Sequence, residues 1–332
     1  AVEAAIELSK SVDEAHKQEL FRALPRGVRA KKEVRDALIA PSIIHRTAAD
    51  VTIWCGPSIE DWGPDTPKET GIGGSETAVV EVSKRLAKDG WRVLVYCAPE
   101  HLEGWYDGVG YLDWKHWRQT DAPEILVSWR NPQFGSNVTN AKAKWLWLHD
   151  LNHGERDLKA PWDRFEHIFG VSQWHADYLS RVYPAVKDRV GFLHNGINLE
   201  RFEQKVERQR YKCVYTSSPD RGLVTLLHLW PDIRRMVPDA ELHIFYGWNN
   251  IDYLIARGDR ALRDLKAGIM AQTAQPGVFW RGNVPQKQLA KELLSSDLWT
   301  YPTSFLEVYG INLAEALAAG LYPVTSRAGA LP

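Results

Sequence analysis

From about residue 50 onward, short apolar runs alternate with stretches whose apolar positions recur every three to four residues. The runs Val51–Cys55, Val93–Cys97, Ile125–Trp129, Trp145–His149, His167–Val171 and Val190–Leu193 read as a first set of buried strands. Cys213–Ser217, Glu241–Tyr246, Val278–Trp280, Leu298–Tyr301 and Tyr322–Thr325 form a second set. Helical periodicity falls between them, at about 75–89, 173–182, 222–236, 259–273, 286–295 and 310–319. Such alternation predicts parallel sheets covered on both faces. A polar, charged stretch near 195–210 separates the two sets. The expectation is an α/β protein of two Rossmann-like domains, 49–200 and 201–332, facing an interdomain cleft. Residues 1–48 precede them as a mixed-charge helical segment with Val2, Ile6, Leu20, Phe21 and Leu24 as its apolar positions.

Composition narrows the class. With 332 residues, 44% of them apolar and 25% charged, the chain suits a soluble protein of two domains. A net charge of −1 gives no general attraction to nucleic acid or anionic membrane, and the basic cluster Arg26, Arg29, Lys31, Lys32 and Arg35 reads as a solvated helical face. Cys55, Cys97 and Cys213 are an odd number without C-x-x-C spacing, which favours buried thiols and a cytoplasmic setting. No apolar stretch reaches membrane-spanning length. The chain opens without methionine and stops just after a strand and a glycine-containing turn, which reads as an incomplete C-terminal domain.

Ligands of parallel α/β sheets bind beyond the carboxyl ends of the strands, and the chemistry-bearing residues fall there. In YPTSFLEVYGINLAEALAAG, Glu307 precedes a short helix and Glu315 lies inside it. The amides of Tyr309, Gly310, Ile311 and Asn312 form a helix N-terminus suited to a diphosphate. Carboxylates for sugar hydroxyls beside amides for phosphate suit a nucleotide sugar. Gly73 and Gly74 in TGIGGSE let backbone approach a bound group, with Ser75 as the expected N-cap. The spacing does not match the dinucleotide fingerprint. His149 ends a strand and His153 follows four residues later; without a third ligand the pair reads as hydrogen-bonding rather than metal-binding, and no metal is expected. Arg221, in SSPDRGL, sits where a guanidinium can meet a diphosphate bidentately. There is neither a GxxxxGK[ST] loop nor an Asp-x-Asp pair.

The order of these motifs resembles retaining glycosyltransferases of the GT-B fold, family 4 type (glycosyl transferases group 1), over roughly residues 51–332. They run from the Gly-Gly helix start through His149-Asp150, Asn195-Gly196-Ile197-Asn198 and SSPDRGL to the paired glutamates. The resemblance implies a hexosyltransferase-like enzyme with a nucleotide diphosphate sugar as donor substrate and no cofactor. His149 would contact the donor sugar, Arg221 the departing pyrophosphate, Glu307 the sugar hydroxyls and Glu315 the ribose. Gly73 and Gly74 would belong to donor binding, the Gly74 backbone approaching the phosphates or the reacting centre. The amides from Tyr309 to Asn312 would hold the diphosphate, and the loop carrying Asn283 and Val284 would border the base. One departure stands out. Where the family pattern carries an arginine, this chain has Thr216, and its lysine is Arg221. Arg281, Lys287 and Arg327 are candidates for the second cation.

The acceptor is expected to meet first-domain loops near 56–70, 100–120 and 130–140, where Trp62, Trp105, Trp114 and Trp117 either stack on a sugar or pack. It is a carbohydrate or another hydroxyl compound, with nucleic acid an unsupported possibility. A non-catalytic nucleotide-sugar or carbohydrate binding module is the alternative reading.

Overall fold

The computed structural model describes residues 1–13, 16–17, 20, 23–29, 31–38, 49–99, 103–151 and 159–332. His153, parts of the expected N-terminal helical segment, and the side chains of Arg26, Arg29, Lys32 and Arg35 lie outside the described residues. Within the N-terminal segment, helices α1 (Val2–Ser9), α2 (Arg26–Arg29) and α3 (Lys32–Leu38) are described.

By internal contacts the chain forms two compact units, neither continuous in sequence. The first comprises Ala1–Pro64, Ser75–Phe169 and Tyr183–Gly191; the second comprises Asp65–Gly74, Gly170–Val182 and Phe192–Pro332.

The first unit is built on an eight-stranded sheet ordered β3-β4-β2-β1-β5-β6-β7-β8. The strands are β1 (Val51–Trp54), β2 (Val93–Cys97), β3 (Gly104–Tyr106), β4 (Val109–Asp113), β5 (Ile125–Trp129), β6 (Ala143–Trp147), β7 (His167–Gly170) and β8 (Val190–Phe192). β2, β1, β5, β6 and β7 pair in parallel, and every residue of β1 and β2 is buried, as their unbroken apolar runs require. Helix α5 (Gly74–Lys88) connects β1 to β2 and buries Ala78, Val79 and Val80.

Where a loop is expected over 100–120, the structure has the antiparallel hairpin β3–β4. Its turn is Asp107-Gly108, both at positive φ (51° and 81°), the two-residue hairpin signal that identifies it. Trp62 is 2% exposed. Trp105, Trp114 and Trp117 pack against the cluster of Trp54, Leu94, Tyr96 and Leu112, Trp117 edge-on to Tyr96 at 5.3 Å. Of the two expected roles, stacking on a sugar or packing, Trp62 is buried, while Trp105, Trp114 and Trp117 are packed and partly buried.

The second unit carries a five-stranded, wholly parallel sheet ordered β11-β10-β9-β12-β13. Its strands are β9 (Lys212–Tyr215), β10 (Glu241–Ile244), β11 (Val278–Trp280), β12 (Leu298–Tyr301) and β13 (Tyr322–Thr325). The strand order reverses between β9 and β12, a topological switch point. Val214, Tyr215, Leu242, Ile244, Trp299 and Tyr301 are buried with Leu223, Leu227 and Trp230 from helix α8 (Leu223–Met236). No helix among the described residues is long and apolar enough to cross a membrane. All three cysteines are free and buried, and burial pushes the Cys213 thiol up to about 11.

Candidate active site

In the second unit, Arg221 and Glu307 meet beyond the carboxyl ends of β9 and β12, at the switch point. After β9 the chain turns through Ser218, whose carbonyl accepts from the Arg221 amide (3.0 Å) and the Tyr215 hydroxyl (2.7 Å). That turn sets Arg221 just ahead of α8. After β12 the chain passes Pro302 to Gly310 and enters helix α12 (Ile311–Ala318). Arg221 Nη1 lies 3.6 Å from Glu307 Oε1, and the same oxygen accepts the Tyr301 hydroxyl at 2.6 Å. Burial and the neighbouring Glu307 carboxylate raise the Tyr301 phenol above its ordinary range, so it stays a donor at neutral pH.

Glu307 is pinned through its backbone as well. Its carbonyl accepts from Ala330 (2.7 Å), and it bridges to Gly329. Gly329 has φ +64°, and a Cβ there would lie 2.7 Å from the Glu307 nitrogen, so only glycine fits. Eight residues on, Glu315 is buried on α12, and Arg201 Nη2 donates to it at 2.7 Å. Burial pushes the Glu315 carboxyl up and Arg201 opposes this. Arg201 and Tyr301 are site residues that the sequence reading missed. Tyr301 was read only as the end of a strand, and a partner 114 positions away cannot be seen in local periodicity.

Gly310 precedes α12 at φ +84°, leaving the first amides of the helix without intrahelical acceptors. The Leu313 amide is already taken, by the Gly310 carbonyl and by Asn312 Oδ1, both at 3.0 Å. The Asn312 side chain therefore turns back onto its own helix, and the backbone amides of Ile311 and Asn312 stand at the open start of the helix. Tyr309 stands 5.8 Å from the His194 ring, and the Val308 carbonyl accepts from Ser172 Oγ at 2.6 Å.

The glycine loop joins the same unit. A Cβ on Gly74 would come within 2.7 Å of Ile311 Cδ1, so Gly74 lies against the start of α12, with Gly73 next to it in the chain. Gly71 likewise abuts the Val284 carbonyl, and Asn283 lies against Gly247. Ser75 is not the N-cap. Helix α5 begins at Gly74, one residue earlier than expected, and the Ser75 hydroxyl donates to Glu76 Oε2 at 3.0 Å.

The departure at Thr216 has a structural reason. Its Oγ1 accepts the indole N–H of the fully buried Trp299 at 3.0 Å, so the position serves the core. Of the candidate second cations, Arg281 donates to His243 Nδ1 at 3.3 Å, while Lys287 and Arg327 are exposed.

His149 belongs to the first unit. It is buried two residues beyond β6, its ring 4.7 Å from Trp147 and 5.9 Å from Trp129. Next to it Arg130, at φ +59°, pairs with Asp150 and, at 3.3 Å, with Glu76. Burial alone would pull that guanidinium down, but the two carboxylates hold it above its ordinary value.

Residues 200–332 match the family "Glycosyl transferases group 1". No curated protein matches the chain by sequence. Among solved structures, HepE (Alr3699) of Anabaena, in complex with UDP and glucose, aligns with TM-score 0.60 and 13% identity, over 85% of this chain and 82% of that one. Sucrose-phosphate synthase of Thermosynechococcus elongatus gives the same four values. A glycosyltransferase from Rickettsia africae aligns with TM-score 0.58 and 13% identity, over 85% and 80%. The likeness to these structures shows the GT-B fold. The residues matched by the family, 200–332, lie within the second unit.

Proposed function

We propose that the protein transfers a glycosyl unit from a nucleotide diphosphate sugar to a hydroxyl-bearing acceptor, with retention at the anomeric carbon and without a metal ion. The observation that carries this reading is the pairing of Arg221 with Glu307 at 3.6 Å, beside the N-terminus of α12, at the switch point of a parallel sheet. A cation, helix amides and a fixed carboxylate supply what an activated sugar presents: a diphosphate and a row of hydroxyls. The UDP-bound and UDP-glucose-bound complexes of HepE support a donor of this class.

The negative charge that develops in the reaction gathers on the leaving diphosphate. Arg221 and the amides of Ile311 and Asn312 are fixed in place before that charge appears, which is the most effective form of electrostatic catalysis. Glu307, oriented by Tyr301 and by Gly329, accepts hydrogen bonds from sugar hydroxyls. Glu315, oriented by Arg201, takes the ribose, and His149 is assigned to a hydroxyl of the transferred sugar. A covalent route needs a free carboxylate nucleophile about 5 Å from a second carboxyl. Glu307 and Glu315 are both engaged elsewhere, in keeping with a front-face reaction in which a leaving phosphate oxygen takes the acceptor proton. Three buried, free thiols support the expected cytoplasmic setting.

The test is turnover of nucleotide diphosphate sugars by wild type, Arg221→Ala and Glu307→Gln. Each variant is expected to lose about 3 kcal/mol of transition-state stabilisation, on the order of 100-fold in kcat, while remaining folded. Wild-type rates in both variants defeat the assignment. Product retaining the donor's anomeric configuration by proton NMR, and undiminished turnover in excess chelator, are the outcomes expected for stereochemistry and metal. Donor binding without turnover or hydrolysis points instead to the binding-module reading.

A further inference from the structure

Between β12 and α12, Phe305 stands 41% exposed, a large aromatic side chain outside the core. The Arg221 guanidinium carbon lies over its ring, 3.9 Å from the centroid, well within cation–π reach. Glu307 meets the same guanidinium at Nη1. One face of the fork is therefore covered by the ring and one edge is held by a carboxylate, which the Tyr301 hydroxyl itself holds. The guanidinium is planar, so contacts at its central carbon and at Nη1 together restrict how its remaining N–H donors are turned.

We propose that Phe305 is a positioning residue that holds the plane of the Arg221 guanidinium, so that one cation addresses a diphosphate in two-pronged fashion. The proposal rests on the reading of this site as a diphosphate cradle. It also accounts for how the site operates with Thr216 committed to Trp299. A single guanidinium in fixed orientation delivers two parallel hydrogen bonds, whereas an ammonium acts as a point charge. A leucine at 305 keeps apolar bulk but has no ring quadrupole, while tyrosine keeps the face.

The experiment compares Phe305→Leu and Phe305→Tyr in the wild-type and Arg221→Lys backgrounds, by steady-state turnover and by calorimetric binding of inorganic pyrophosphate. In the wild-type background, Phe305→Leu is expected to lower kcat and pyrophosphate affinity by about 10-fold, within the range of a partly desolvated cation–π contact. Donor KM should shift by less than about 3-fold, because the charge addressed belongs to the leaving group. Phe305→Tyr should stay within about 2-fold of wild type. In the Arg221→Lys background, Phe305→Leu should cost less than about 2-fold, since coupled residues are not additive. Equal losses in both backgrounds, or no loss in either, overturn the positioning role even when wild-type turnover upholds the site. Wild type that binds pyrophosphate with this coupling but turns over no donor leaves the positioning role standing and defeats the transferase reading. Failure of wild type to bind pyrophosphate overturns both.

Discussion

At the scale of single residues, the buried pair Arg201–Glu315 carries the sharpest pH signature. Burial raises the Glu315 carboxyl above its ordinary value of 4.5, and Arg201 limits the rise. A raised acid binds its proton more tightly folded than unfolded. Its contribution to stability is therefore fully present below the unfolded value and is lost as pH rises through the folded one. Removing Arg201 takes away both lowering influences and widens that window upward. Arg201→Met is expected to cost about 3 kcal/mol near pH 7, because an unpaired charge is left buried, and markedly less near pH 4, where Glu315 is protonated. Urea titrations across that range measure it, and a loss independent of pH contradicts the account. Glu315 itself was readable as a helical glutamate, but Arg201 was not. The two lie on segments whose proximity depends on the packing of α12 against the region before β9.

At the scale of elements, every strand that the apolar runs implied is present, within one or two residues of its expected bounds. The exceptions have local causes. Hairpin β3–β4 was missed because its alternation is short, although Asp107-Gly108 announces the turn. Helices Thr66–Glu69, Pro132–Asn137 and Asn249–Ala256 are too short, or too poor in periodic apolar positions, to register. The tie between β9 and β12 through Thr216 and Trp299 is a feature of the sheet rather than of either strand's sequence. Thr216→Val keeps the side chain's shape but leaves a buried indole N–H unpaired. The expected loss is about 1–2 kcal/mol in a urea melt, with pyrophosphate affinity unchanged. A fall in affinity without a fall in stability assigns Thr216 to the ligand instead.

At the scale of the whole molecule, the second unit draws in Asp65–Gly74 and Gly170–Val182, segments well before the break at 195–210 that the sequence offered as the domain line. Gly71 against Val284, Gly74 against Ile311 and Ser172 against Val308 are contacts of that kind. A ligand of the α12 cradle binds only when these segments are folded together. A nucleoside diphosphate at about 100 times its Kd is therefore expected to add about 2.7 kcal/mol of stability, seen as a raised unfolding temperature. A screen across nucleoside diphosphates and their sugars ranks the base and sugar by the same readout. No shift with any of them counts against the cradle.

The sequence by itself determined the two parallel sheets, the helix after β12, and the placing of Arg221, Glu307 and the glycine loop at strand ends. Apolar run length, helical periodicity and glycine spacing act over a few residues and are legible wherever they occur. Only the tertiary structure decided which of those residues meet. The switch point brings Arg221 to Glu307 across 86 positions, Phe305 covers the guanidinium, Tyr301 turns its hydroxyl onto the carboxylate, and of the candidate tryptophans only Trp62 is fully buried. These pairings arise from sheet order and close packing, which depend on the whole chain at once and leave no trace in local pattern.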